Sequence, residues 1–186
     1  MRIYHLRHAS DRPDWAAVCS HVKGLGFDHL LVSPPTDELE RLAGPLAREC
    51  GRAGLALLAD LDPPAEAGPD AWAEAALAGL GAGLAGLRVL QPSRLDGRAW
   101  AGMIAHMHER HPDASFLAWT PGLSRQQLLD LADSGFDHVF SSLPWWDFRS
   151  DWLVEERARL REVAPVIAPV YMPEGRARRD DEQRAL

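Results

Sequence analysis

Short apolar runs alternate with amphipathic stretches along nearly the whole of this chain, and that alternation limits the fold more than any other feature. "RIYHLRH" leads into "DWAAVCSHVKGLG", "HLLVSPP" into "TDELERLAGPLARECGRAG", and "LALLADL" into "DAWAEAALAGLGAG". "LRVLQP" with "GRAWAGMIAHMHERHP", "SFLAWTP" with "SRQQLLDLADSG", "HVFSSLP" with "DWLVEERARLREVA", and a last run "PVIAPVYMP" bring the count to seven predicted strands and six predicted helices. Strands that are apolar throughout must be covered on both faces, which a parallel sheet wrapped by crossover helices provides. The fold class is therefore α/β. Helix-end chemistry agrees: Asp14, Thr36 and Ser124 stand at predicted N-termini, and Gly26, Gly54 and Gly135 stand where the chain leaves helices.

One unit occurs twice. "GFDHLLVSPP" (26–35) and "GFDHVFSSLP" (135–144) share a helix exit, a strand and a proline stop. Such an echo suits a cyclic (β/α) TIM-type barrel, whereas an open dinucleotide-binding sheet calls for a G-x-G-x-x-G after the first strand, which is absent. The prediction is one compact, incomplete barrel over residues 1–173. The segment 174–186, "EGRARRDDEQRAL", carries both signs of charge and reads as a frayed or unstructured tail rather than an eighth strand. Seven strands leave an unpaired edge, so the tail or a second subunit is expected to cover it, the latter making a homo-oligomer.

Composition excludes several classes. A formal charge of −7, with a single lysine and scattered arginines, gives no surface for nucleic acid. No run approaches the ~18 apolar residues of a membrane span, so a cytoplasmic, membrane-free protein is expected. Cys19 and Cys50, each within a helical pattern, read as two reduced, buried thiols. His5 and His8 point to opposite faces of a strand and cannot share a metal, and His106, His108 and His111 read as a solvated helix face. His29 and His138 begin strands, the stability end of a barrel. No metal or cofactor is expected.

In a parallel barrel, function gathers at the C-terminal strand ends. Here these carry Arg7 and His8, Ser33, Asp60 and Asp62, Arg88 and Leu90, Trp119 and Thr120, Ser141 and Ser142 with Trp145, Trp146 and Asp147, and Tyr171. Several blocks resemble the α-amylase superfamily (glycoside hydrolase family 13), most closely its maltosyltransferase-like branch. They are "DWAAVCSHVKGLGFDHLLVSPP", "GLALLADL", "AGLRVL" and "HPDASFLAWTPGL…LADSGFDHVFSSLPWWDF", and together they cover most of the chain.

The resemblance implies an aspartate nucleophile two residues after Arg88 and a glutamate general acid at the end of the fifth strand; those positions hold Leu90 and Trp119. It also implies a carboxylate after the seventh strand, where only Glu174 lies nearby, and a histidine after the third, where Asp60 is kept and the histidine is lost. Retaining glycosidases need two carboxyl groups about 5 Å apart, one to attack and one to protonate. Leucine and indole do neither.

A non-catalytic protein that binds α-glucan or a related oligosaccharide, or serves as a scaffold beside glycan enzymes, is therefore expected. Arg88, Trp119, Trp145, Trp146, Tyr171 and Asp60 form the candidate floor, with Asp60 or Asp62 reaching Arg88 across strands. The bland alternative gives these aromatics to packing: Trp119 plugs the barrel while Trp145 and Trp146 seat a helix on the sheet. The catalytic alternative is a glycosidase or maltosyltransferase using relocated acids from Asp60, Asp62, Asp147 or Glu174. A weaker one rests on "IYHLRHAS", which resembles the first strand of histidine phosphatases and would place phosphoryl chemistry on Arg7 and His8.

Overall fold

A computed structural model describes residues 1–6, 14–35, 38–64 and 66–170. Seven strands alternate with six helices: β1 (Ile3–Leu6), α1 (Trp15–Gly24), β2 (His29–Val32), α2 (Leu39–Arg52), β3 (Ala56–Leu61), α3 (Pro69–Gly81), β4 (Gly86–Val89), α4 (Gly97–Arg110), β5 (Ser115–Ala118), α5 (Arg125–Asp130), β6 (His138–Phe140), α6 (Trp152–Val163) and β7 (Val166–Ile167). Each strand pairs in parallel with the next, in the order β1 through β7. The result is a curled half-barrel, and among the described residues β7 and β1 do not pair. The expected seventh strand is shorter than its apolar run, two residues in all.

Period-two alternation divides the side chains between two cores. On β3, Leu57, Ala59 and Leu61 face the helices, while Leu58 and Asp60 face the interior. The outer core is the larger, and its centre is aromatic. Trp72 of α3 meets Trp100 of α4 edge to face at 5.4 Å, and Trp100 meets Phe136 at 5.1 Å. The Trp100 indole N–H donates to the Pro92 carbonyl at 2.7 Å. The inner core is a small cluster of Leu31, Leu58, Leu117 and Phe140, with Ile3, Trp119 and Ile167 against it. Gly86 lets β4 and β5 approach closely, because a Cβ built there would lie 2.2 Å from the Ser115 carbonyl oxygen.

The repeated Gly-Phe-Asp-His unit has a structural reason. Gly26 and Gly135 adopt φ of 88° and 86°, a left-handed conformation that reverses the chain out of a helix at little cost only for glycine. The aspartate two residues later accepts a backbone N–H at the start of a neighbouring strand: Asp28 from Arg2 and Asp137 from Phe116, both at 2.7 Å. Each unit thus fastens an incoming strand to its neighbour. Asp14 and Ser124 cap α1 and α5 as expected, Ser124 in a reciprocal capping box with Gln127. Thr36 lies outside the described residues. His108 departs from the expected solvated face, since its ring bonds the Ala114 carbonyl at 2.9 Å and packs edge-on against Phe116.

Candidate functional site

The C-terminal ends of β1 to β4 bring one polar side chain each to the interior. Register makes this inevitable: Asp60 of β3 is paired with Arg88 of β4, so the two side chains rise side by side on one face. Arg88 Nε donates to Asp60 Oδ1 at 2.6 Å and its Nη2 to Oδ2 at 2.8 Å, a two-pronged ion pair with both side chains about 95% buried (6% and 5% exposed). The Ser33 hydroxyl donates to Asp60 Oδ2, and His5 Nε2 lies 2.7 Å from the Ser33 oxygen. Because the single serine proton is directed to Asp60, His5 Nε2 carries the proton in the Ser33–His5 bond. Its 3.4 Å approach to Arg88 Nη2 is then proximity between two donors.

Aromatic rings close over the pair. The Arg88 guanidinium carbon lies 5.0 Å from the Trp119 ring centre and 5.4 Å from that of Phe140, and these two rings meet at 5.3 Å. Such stacking adds attraction to a desolvated cation. Trp119 is half-buried, and Trp145 stands edge-on to it at 6.3 Å with 61% of its surface exposed. The mouth therefore presents a step of two indoles above a neutralised ion pair.

The other candidates are placed differently. Trp146 turns away to stack on Phe148 at 4.7 Å, and its N–H bonds the Ser150 carbonyl at 2.8 Å. Asp147 is exposed and organises its own loop, accepting the N–H groups of Ser150 and Arg149 and the Ser150 hydroxyl, which hold its carboxyl below the ordinary value. That loop keeps Phe148 at φ 57°, a conformation bulky side chains rarely adopt, with 75% of the ring exposed. Asp62 follows β3 on the surface and accepts from Gln91 at 3.0 Å. Leu90 is half-buried after β4. Arg7, His8, Tyr171, Glu174 and the tail 174–186 lie outside the described residues.

Asp60 accepts two hydrogen bonds from the guanidinium and one from the Ser33 hydroxyl, which hold its orientation and draw on its charge, so it is poorly placed to attack carbon or accept a substrate proton. Sequence reasoning named Ser33 only as a strand-end residue, and it missed His5 and Phe140 as members of this cluster. Their signal was available only as alternation: each lies on an interior-facing position of its strand, one residue step from a helix-facing neighbour. Among the described residues no group of three or more His, Cys, Asp or Glu side chains is arranged to hold a metal ion, and no helix is long and apolar enough to cross a membrane.

No protein-family model matches the chain. It is 36% identical, over 144 residues and 76% of its length, to the alpha-1,4-glucan:maltose-1-phosphate maltosyltransferase of Burkholderia pseudomallei (strain K96243). The match spans 12% of that relative. Among solved structures it is similar to an alpha-amylase from Lactobacillus plantarum, with a TM-score of 0.61 and 15% identity over 90% of this chain and 61% of that one. A deoxyribose phosphate aldolase from Aeropyrum pernix gives 0.63 and 16% over 90% and 75%. A 2,3-dimethylmalate lyase gives 0.63 and 15% over 94% and 68%. At these identities the structural likeness concerns the barrel fold alone.

Proposed function

We propose that this chain is an α-amylase-like half-barrel that binds an α-glucan or related oligosaccharide at its mouth and does not cleave it. The observation that carries the reading is the state of the interior carboxylate. Glycosyl transfer with retention asks for two available carboxyl groups, and here Asp60 is clasped by Arg88 while Leu90 and Trp119 occupy the positions that the resemblance gives to nucleophile and acid. The exposed Trp145 beside Trp119 supplies what a sugar site needs, a flat apolar surface next to polar groups that fix orientation. The similarity to a maltosyltransferase supports α-glucan as the ligand class.

The test is a titration of the protein with maltooligosaccharides, followed by tryptophan fluorescence, with release of reducing ends measured in parallel. Saturable quenching without release is expected, and Trp145→Ala should weaken binding about tenfold, the equivalent of one aromatic contact. Absence of binding at millimolar sugar refutes the proposal. Turnover that disappears in Asp62→Asn, Asp147→Asn or Glu174→Gln refutes it in favour of a glycosidase with relocated acids.

A further inference from the structure

We propose that Cys19 and Cys50 are a modification site: on exposure to a hydroperoxide they form a reversible disulfide that staples α1 to α2. They are the only cysteines of the chain, 31 positions apart on separate helices, yet their sulfurs lie 3.6 Å from each other. Both residues are fully buried, and both are free thiols. A disulfide needs the sulfurs at about 2.05 Å, so closure asks for an approach of roughly 1.5 Å, within the reach of side-chain rotation and a small helix shift. Nothing in the ion-pair site at the strand ends uses either thiol.

Burial protects the pair only as long as α1 stays docked, and α1 is lightly anchored. Its fully buried side chains are Cys19 and Val22, with Trp15 and Val18 partly buried against the core, fewer than the four of α2 and α3 and the five of α4, though more than the single one of α5 and of α6. Helices with so little apolar contact open locally well below the cost of global unfolding. When α1 lifts, Cys19 meets solvent.

The two thiols also have an order. Either sulfur can donate in the contact between them; burial raises the Cys19 thiol, and burial with Cys19 beside it pushes the Cys50 thiol up further, so Cys19 is the more readily ionised of the two. Cys19 therefore attacks. Its thiolate takes one peroxide oxygen, the O–O bond breaks, and the departing hydroxide collects a proton to leave as water. Cys50 sulfur then attacks the sulfenic sulfur of Cys19, forming the S–S bond and releasing a second water with the Cys50 proton. The thiols lose two electrons and one peroxide becomes two waters; a dithiol reverses the change.

The experiment treats the whole protein with hydrogen peroxide at neutral pH, alkylates it under denaturing conditions and reads intact mass and peptide maps. The expected product is two hydrogens lighter, resists alkylation at both positions, yields a Cys19–Cys50 cross-linked peptide and reverts with dithiothreitol. Cys50→Ala should stop at a Cys19 sulfenic acid that dimedone captures, while Cys19→Ala leaves Cys50 alkylatable. Closing this loop should raise Tm by roughly 5–10 °C. Peroxide-treated wild type in which both cysteines still alkylate, in which either proceeds to sulfinic acid without the cross-link, or which cross-links only between chains overturns the proposal.

Discussion

Replacing Asp60 by leucine leaves the Arg88 guanidinium, with 6% of its side chain exposed, in an interior without its counter-ion. Breaking a buried pair from one side costs about 3–5 kcal/mol, because the surviving charge keeps its desolvation penalty and loses its partner. Trp119 and Phe140 remain over the guanidinium and return about 1 kcal/mol through cation–π attraction. The expected loss is therefore about 3 kcal/mol, or a fall in Tm of roughly 6–12 °C for a chain of this length. Arg88→Met alone should cost a similar amount, since Asp60 then keeps the Ser33 hydroxyl and, 3.9 Å away, the His5 ring in place of a two-pronged guanidinium. Together, Asp60→Leu and Arg88→Met remove both charges and should bring the protein to within about 1 kcal/mol of wild type, a coupling of about 5 kcal/mol. Urea unfolding of the four proteins, followed by tryptophan fluorescence and far-UV circular dichroism, measures the cycle. Single variants each costing under about 1 kcal/mol, with no coupling, would show that the pair is solvated and would remove the reason given for Asp60's chemical inertness.

Acid should find a second weak point. Burial opposes ionisation of Asp28, but the Arg2 N–H, the His29 ring and the chain's amino group together hold its pKa down to about 2, from 3.8. The folded state thus binds the proton less readily than the unfolded one, so this contribution is whole above about pH 4 and fades as pH falls toward 2; Asp28→Asn should lose that part of the Tm–pH curve, and an unchanged slope would refute it. His138 behaves similarly at higher pH: burial lowers its pKa below 6.5, so protonation favours the unfolded chain, and His138→Phe should flatten any loss of stability just below pH 6.5. Gly86→Ala should cost several kcal/mol or prevent folding, because the new methyl meets the Ser115 backbone at 2.2 Å; a Tm within 2 °C of wild type, roughly 1 kcal/mol at this size, would show that the strands can part. The flanks of β1 and β7, which do not pair among the described residues, should be covered by the segment 174–186 or by a second copy of the chain; light scattering reporting a strict monomer whose 174–186 segment is also mobile would count against it.

Much of this molecule is determined by sequence alone. The order of strands and helices, the parallel sheet, the capping of α1 and α5 and the left-handed exits at Gly26 and Gly135 all follow from periodicity and local backbone preference, which act over a few neighbouring residues. The opposition of Asp60 and Arg88 is nearly as local, since alternation puts both on the interior face once their strands are neighbours. Tertiary structure decided the rest. Whether His5 and Ser33 join Asp60 depends on the register of β1, β2 and β3, which no single strand encodes. The adjacent Trp145 and Trp146 look equivalent in sequence, and only the path of the β6–α6 loop sends one to Trp119 and the other to Phe148. Cys19 and Cys50 came into contact for the same reason: two helices must dock before residues so far apart along the chain can share a face.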